Sequence, residues 1–239
     1  MFKVAIVAAL EREVHPLVKK WRVSEKQQAG RRFRFFEEYE TVVVCGGIGA
    51  EAARRAAEAV IAIYAPSVVY SVGFCGALEP GLKAGDVVQP ALVIDARDGS
   101  RVNLAEGKGV LVSFGTVADP AQKAKLRESF GAQVVDMEAA AVARAAQARG
   151  VEFAAVKAVS DEFDFEFSPT DRFVDSGGQF QEGRFAAYVA VRPWLWPKVR
   201  RLAINSNLAS AALCDWLVTS LNRMRACAPE QKLEAMHRP

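Results

Sequence analysis

The sequence is poor in histidine, and this restricts the chemistry it can support. Only two of its 239 residues are histidines, His15 and His237. A Ser-His-Asp triad or a multi-histidine metal site would depend on His15 alone, and the acidic residues do not show EF-hand spacing. We therefore expect acid–base chemistry to fall to other side chains, with no metal and no other cofactor.

Paired cysteines and long apolar runs are also missing. The four cysteines are scattered without a CxxC motif, which favours reduced thiols over a zinc site or a disulfide framework: Cys45, Cys75, Cys214 and Cys227. The apolar run at 4–10 ends in charged residues and is much shorter than the ~20 residues of a membrane span. It reads as a buried first strand, and the sequence predicts a cytoplasmic protein without a membrane span.

The charge balance does not indicate a polyanionic partner. Thirty-one Lys and Arg residues face 28 Asp and Glu residues, a net charge of +3, so neither nucleic acid nor an anionic membrane is expected to bind. The segment 31–39 alternates charged and aromatic residues, which could suggest a nucleic-acid face. Because Glu37, Glu38 and Glu40 are acidic, a solvated strand or hairpin is favoured.

Short runs rich in β-branched residues alternate with helical patterns along the chain. This rhythm predicts a three-layer α/β/α fold with a central mixed sheet. The expected strands are 4–7, 41–44, 68–72, 86–93, 110–114 and 153–159, and the expected helices are 11–20, 50–64, 120–129, 137–149 and 197–225. No linker divides the chain, so one domain is expected over 1–239. The aromatic segment 162–196 is either a lid over a site or a surface excursion.

Two glycine-rich motifs follow predicted strands. Residues 47–52 match the dinucleotide fingerprint GxGxxA, but the acidic residue expected about 20 positions later is missing, and tight turns are the better account. The second motif, GFCGA at 73–77, is expected to be a loop at the carboxyl end of the next strand, where α/β sheets bind ligands.

Acidic residues follow three of the predicted strands. Glu11 and Glu13 follow the first, Asp136 and Glu138 begin a predicted helix, and Asp161 ends the strand 153–159. A carboxylate at a helix start or strand end is often structural. Three such positions at one edge of a sheet nevertheless indicate a carboxylate-based site.

These motifs occur in an order that resembles the nucleoside phosphorylase and nucleosidase family. The matching segments are AALEREV at 8–14, GGIG at 46–49, VGFCGA at 72–77, LKAGDVV at 82–88, VDMEA at 135–139 and VSD at 159–161. The match extends over about residues 1–165 and is similar to methylthioadenosine/S-adenosylhomocysteine nucleosidases. The C-terminal part, with RPW at 192–194 and RLAINS at 201–206, is more similar to the hopanoid-biosynthesis-associated phosphorylase branch.

The resemblance implies cleavage of the N-glycosidic bond of a purine nucleoside and assigns roles to the acidic residues. Asp161 would protonate N7 of the leaving adenine, which requires burial or a neighbouring carboxylate to raise its pKa. Glu138 would accept hydrogen bonds from the ribose hydroxyls, and Glu13 would orient or deprotonate the attacking water. The other residues expected to bind substrate are Met137, packed on the sugar, Thr116 and Val117, beside the purine, and Gly73, Phe74 and Ser160.

The sequence departs from the family pattern where a phosphate would bind. Phe74 stands where a Ser or Thr is usual after the loop glycine, and Ser71 matches a position that is arginine in hexameric phosphorylases. Phe74 could pack as a simple wall or shape a pocket for a bulky apolar 5′ substituent. Water is favoured as the nucleophile, although glycine-loop amides or Arg12 could still hold phosphate.

Three alternatives remain open at this stage. The first is a phosphorylase acting on an adenosyl-type nucleoside such as adenosylhopane. The second is a non-catalytic nucleoside-binding protein, against which Glu13, Glu138 and Asp161 are all present. The third is a dehydrogenase that binds NAD through 47–52. We expect a small purine nucleoside as the partner, with phosphate as a second candidate, and a homo-oligomer.

Overall fold

A mixed β-sheet forms the centre of the molecule. The computed structural model describes residues 3–166, 170–175 and 177–236, and in these residues eleven strands make one sheet. The strands are β1 Val4–Ala8, β2 Arg22–Gln28, β3 Arg31–Glu38, β4 Thr41–Cys45, β5 Val68–Ala77, β6 Val87–Val88, β7 Leu92–Asp95, β8 Arg101–Asn103, β9 Val110–Ser113, β10 Val134–Asp136 and β11 Glu152–Asp161.

The strand order brings the ends of distant segments together. The order is β2-β3-β4-β1-β5-β10-β9-β7-β8, and β11 pairs with β5 and β6. β1 pairs in parallel with β4 and β5, and β11 also runs parallel to β5. The carboxyl ends of β1 and β11 therefore lie at the same edge of the sheet, which is the edge where ligands bind in open α/β sheets.

Helices cover both faces of this sheet. They are α1 Glu11–Val18, α2 Ala50–Tyr64, α3 Pro120–Phe130, α4 Ala139–Gln147, α5 Glu182–Ala190 and α6 Trp196–Met236. The apolar faces of α1 and α6 pack with β1, β5 and β11, and those of α2 and α4 pack with other side chains of the same strands. The predicted three-layer α/β/α class with a mixed sheet is confirmed.

Local sequence signals account for both ends of α3. Asp119 caps the start of α3: its carboxylate accepts a hydrogen bond from the Gln122 amide at 2.8 Å, and Pro120 occupies the first helical position. At the other end Gly131 adopts a left-handed conformation with φ 62°, a geometry that glycine tolerates best. The predicted segment 31–39 is also confirmed as a strand, because β3 forms an antiparallel hairpin with β2.

Several boundary predictions were wrong. The predicted glycine loop 73–77 lies inside β5, which continues to Ala77 because β11 and β10 pair with its second half. The predicted strand 86–93 is two strands, β6 and β7. Asp136 does not begin a helix: it ends β10, and α4 begins at Ala139.

The described part of the aromatic segment 162–196 lies beside the sheet edge. It contains two short 3-10 helices, Thr170–Phe173 and Pro193–Leu195, and the helix α5. Its described part is held by aromatic contacts, including an edge-on pair between Phe173 and Phe185 with ring centroids 5.4 Å apart. None of the helices in the described part of the chain is long and apolar enough to cross a membrane.

Candidate active site

A cavity of about 370 Å³ opens where β1, β5, β10 and β11 end. Of the ten sequence-predicted site residues, all but Gly73 line it: Glu13, Phe74, Thr116, Val117, Met137, Glu138, Ser160 and Asp161, together with Arg12 as the candidate phosphate ligand. Gly73 lies directly behind the cavity wall, where a Cβ would come within 2.8 Å of Glu13 Oε2. Residues that are more than 100 positions apart in the sequence thus meet in one site.

Asp161 enters the cavity through an irregularity in β11. The register with β5 shifts between Val159 and Asp161, which is a bulge, and bulges commonly redirect a side chain beside a functional site. The Ser160 hydroxyl donates a hydrogen bond to Asp161 Oδ1 at 2.9 Å. Gly76 leaves space for the carboxylate, since a Cβ there would lie 2.7 Å from Asp161 Oδ2.

The immediate neighbour of Asp161 differs from the expected one. We expected burial or a second carboxylate, but the Lys123 ammonium donates to Asp161 Oδ2 at 2.5 Å and to the Glu162 carbonyl at 2.7 Å. An adjacent cation favours the charged form of a carboxylate, the opposite of what a second carboxylate would do. Sequence reasoning missed Lys123, although a lysine three positions before the buried Leu126 occupies the core-facing side of α3.

Glu13 lies in the first turn of α1, and its carboxylate is held by backbone amides that precede the helix. Its Oε2 accepts hydrogen bonds from Ala9 and Leu10, at 3.2 and 3.3 Å. Burial raises the pKa of Glu13, although Lys157 and these amides act in the opposite direction. A carboxylate with a raised pKa is a better proton acceptor near neutral pH, which suits a general base.

Glu138 precedes α4 and faces the cavity. Its Oε1 accepts a hydrogen bond from the Gly49 amide at 2.8 Å, and its Oε2 accepts one from the Met137 amide at 3.2 Å. Burial and the neighbouring Asp136 carboxylate raise the pKa of Glu138 to about 7. The glycine motif at 47–52 therefore supplies an amide to a glutamate, and Gly49 precedes α2.

A buried ion pair lies beneath these carboxylates. Lys157 Nζ is 2.8 Å from Asp136 Oδ2, the two side chains are 1% and 0% exposed, and the ammonium also donates to the Ser71 hydroxyl at 3.1 Å. Although burial opposes its charge, the carboxylates of Asp136, Glu138 and Glu13 raise the pKa of Lys157. Ser71 is thus occupied with Lys157 and does not line the cavity. The only sequence signal for Lys157 is a charged residue inside an apolar strand.

Apolar side chains form the remaining walls. Phe74 is half-buried and packs against the core formed with α1 and α6. The other apolar residues of the cavity come from several elements: Leu10, Ile48, Phe165, Val174, Phe180 and Leu202. The Arg12 guanidinium stacks over the Phe180 ring, 5.3 Å from its centroid. Within the described residues, no cluster of three His, Cys, Asp or Glu side chains could hold a metal ion.

The fold and the site define a three-layer α/β protein with a carboxylate-lined cavity at the sheet edge. The sequence profile of the Phosphorylase superfamily matches residues 3–119 and 110–189, so the chain belongs to this superfamily. The family and fold class expected from the sequence are confirmed.

Individual relatives are nucleosidases. The chain is 26% identical over 208 residues to the aminodeoxyfutalosine nucleosidase of Campylobacter jejuni, which covers 70% of this chain and 91% of the relative. It is 28% identical over 199 residues to the 5'-methylthioadenosine/S-adenosylhomocysteine nucleosidase of Bacillus pumilus, covering 66% and 85%. The apo structure of 5'-methylthioadenosine nucleosidase from Arabidopsis thaliana has the same fold, with a TM-score of 0.70 at 20% identity and coverage of 93% and 95%.

Proposed function

We propose that the chain is a nucleosidase that hydrolyses the N-glycosidic bond of an adenine nucleoside of the methylthioadenosine/S-adenosylhomocysteine type. The observation that carries the proposal is the meeting of Glu13, Glu138 and Asp161 in one cavity from three separate strand ends. The nucleosidase relatives support the same reaction. Each carboxylate has a separate task in this chemistry.

Asp161 acts on the leaving base. Adenine is a poor leaving group as an anion, so a proton must reach N7 as the bond to the sugar breaks. Asp161 delivers that proton from the end of β11. Thr116 and Val117 line the same cavity and frame the purine ring.

Glu138 and Met137 act on the sugar. The carboxylate accepts hydrogen bonds from the ribose hydroxyls, and Met137 packs against the ring. As the bond breaks, the sugar becomes positively charged, and a fixed carboxylate stabilises that charge. This role requires the ionised form of Glu138. With a pKa of about 7, a substantial fraction of this carboxyl group is ionised near neutral pH.

Glu13 acts on the nucleophile. Its raised pKa suits removal of a proton from water. A carboxylate at this position also repels a phosphate dianion. Together with Phe74, which carries no hydroxyl, Glu13 supports water over phosphate as the nucleophile.

The walls of the cavity point to the remaining features of the substrate. Phe74, Phe165 and Phe180 suit an apolar 5′ substituent. We propose that the segment 162–196 closes over the bound nucleoside as a lid within a single domain, because Phe165, Val174 and Phe180 from this segment line the cavity. We also expect a cytoplasmic homo-oligomer that needs no cofactor.

A panel of adenine nucleosides that differ at the 5′ position tests the proposal. Release of free adenine is measured by chromatography with and without inorganic phosphate. We expect release without phosphate, with the free sugar as the second product, and the highest kcat/KM for an apolar 5′ group. Strict dependence on phosphate, with a sugar 1-phosphate as product, would identify a phosphorylase. Binding without release of base would identify a non-catalytic binding protein.

A further inference from the structure

We propose that Lys123 and Asp161 act as one acid, in which Lys123 stores the proton that Asp161 passes to the leaving base. This inference rests on the proposed function, because it concerns how the same site protonates its purine. Lys123 is here a proton donor to Asp161 and acts through it.

The position of Lys123 is unusual for a lysine. Its side chain is 1% exposed on the inner side of α3, next to the buried Leu126. Buried lysines are rare unless they are paired. Gly76 provides the room, because a Cβ at this residue would lie 3.3 Å from Lys123 Cε and 2.7 Å from Asp161 Oδ2.

A comparison with the second buried lysine shows that this pair has a different character. The side chains of Lys157 and Asp136 are 1% and 0% exposed, although Asp136 itself is among the residues that line the cavity. Lys123 is equally buried, but Asp161 is 23% exposed, and both residues line the cavity. The Asp161 carboxylate is therefore accessible for proton exchange with a bound molecule, whereas the side chain of Asp136 is not exposed.

The charge of the pair dictates where the proton is held. A carboxylate next to an ammonium is stabilised in its ionised form, and an ionised carboxylate has no proton to give. The ammonium of Lys123 has one. That proton lies on the hydrogen bond from Lys123 Nζ to Asp161 Oδ2, 2.5 Å long, along which it can pass to the carboxylate.

The step balances with water as the only co-reactant. The C1′–N9 bond breaks and its electron pair goes to the purine, N7 takes a proton from Asp161, and Asp161 takes one from Lys123 Nζ. Water forms the new bond to C1′ and gives its proton to Glu13. Lys123 ends neutral and Glu13 ends protonated, and exchange with solvent restores both.

Several of the ionisable groups around the Lys123–Asp161 pair form ion pairs of their own. They come from β5, β10, β11, the start of α3 and the residue after β11. Asp136 is paired with Lys157, and the Glu162 side chain is bonded by Arg201. The ionisable side chains nearby include Cys75, Asp119, Asp136, Lys157 and Glu162, with Lys83 and Arg201 paired to Glu162 and with Glu13 and Glu138 further along the cavity.

The pH dependence of kcat distinguishes proton storage from a structural salt bridge. The variant Lys123→Met keeps the length of the side chain and removes the proton. We expect kcat for adenine release to fall about 100-fold at pH 8, within the range of general acid catalysis, and the loss to shrink to under about tenfold at pH 5, where solvent supplies protons to the site more readily. The control Lys125→Met changes an exposed lysine of the same helix and should leave the profile unchanged.

A purely structural cation predicts the reverse. Removing an ammonium that only stabilises the Asp161 carboxylate would make this residue easier to protonate, so Lys123→Met would equal or exceed the wild type at pH 8. That result would overturn the proposal. If the wild type releases no base from any nucleoside, the proposed function itself fails.

The variant Lys123→Arg provides a second test that does not depend on the fold of the methionine variant. Arginine keeps the charge, and its guanidinium does not give up its proton in this pH range. Proton storage on Lys123 therefore predicts that arginine restores the melting temperature but not kcat at pH 8. Recovery of kcat to within threefold of the wild type, or unfolding of both variants, would assign Lys123 a structural role and contradict the proposal.

Discussion

Glu37 and Glu13 are buried and Glu138 is half-buried, and the surroundings of Glu37 are opposite to those of the other two. Glu37 on β3 is 5% exposed and accepts hydrogen bonds from the Ser24 hydroxyl at 2.6 Å, from Tyr64 and from Arg22. Although burial opposes ionisation, these bonds lower the pKa of Glu37 to about 2. The carboxylates of Glu13 and Glu138 receive described hydrogen bonds only from backbone amides, and their pKa values are raised.

The difference separates stabilisation from function. The network of Glu37 compensates the loss of hydration, so this carboxylate contributes to folding. At the cavity the compensation is incomplete, and the carboxylates keep the capacity to accept protons or hydrogen bonds from a ligand. Groups whose pKa is raised in a cleft in this manner are candidates for function, whereas Glu37, which is as buried as Glu13, is not.

The largest expected effect concerns Asp161. Asp161→Asn removes the residue that passes the proton to the base, so kcat for adenine release should fall at least about 10³-fold, while the melting temperature stays close to that of the wild type. Turnover is measured by adenine release and folding by thermal denaturation. Asp215→Asn, at an exposed residue of α6 that does not line the cavity, is the matched control and should keep full activity. Unchanged turnover in Asp161→Asn would exclude Asp161 as the acid.

Glu13 should give the next largest effect and a characteristic separation of activity from stability. Glu13→Gln removes the acceptor for the water proton, so kcat should fall about 10²- to 10³-fold. Because the raised pKa means that ionised Glu13 costs stability at neutral pH, the variant should be at least as stable as the wild type. Loss of both activity and stability would show that Glu13 is a structural residue.

Glu37→Gln should reverse this pattern. Replacing the carboxylate weakens charge-assisted hydrogen bonds, so the free energy of unfolding should fall by about 2 kcal/mol in denaturant titrations at pH 7, with kcat unchanged. The folded-state pKa of about 2 lies below the ordinary 4.5, so this stability is present above pH 4.5 and is lost as the pH falls towards 2. If Glu37→Gln loses activity but keeps its stability, the distinction between Glu37 as a stabilising residue and Glu13 and Glu138 as functional residues is wrong.

Much of the fold could be predicted because local patterns dictate it. The apolar run of β1 and the alanine-rich pattern of α2 are visible in the sequence, and α2 occupies Ala50–Tyr64 as expected. The failures share one cause: pairing with distant strands. The extension of β5 through two glycines, and the short β10, depend on hydrogen bonds to β11 and β9 that no local pattern contains.

The residues of the candidate site also fall into a group that the sequence predicts and a group that it does not. The carboxylates could be predicted since they follow strand ends, and parallel strands bring such ends together. Their cationic neighbours could not. Lys123 and Lys157 lie 38 and 21 positions from the carboxylates they contact, Asp161 and Asp136, and only the packing of α3 and β11 brings them there. The acidic residues of the site could therefore be predicted from the sequence, whereas the cations that pair with them are known only from the structure.

Glu138 should produce the smallest effect, which appears in binding. Its carboxylate must be ionised to accept both ribose hydroxyls, and with a pKa of about 7 it is mostly protonated at pH 6. The affinity for a 7-deazaadenine nucleoside, which lacks the N7 that accepts the proton, should therefore fall about tenfold from pH 8 to pH 6 in calorimetric titrations. Glu138→Gln should bind more weakly at pH 8 and show no such slope. If the slope persists in this variant, the titrating group is Glu13, and the ribose contact has been assigned to the wrong carboxylate.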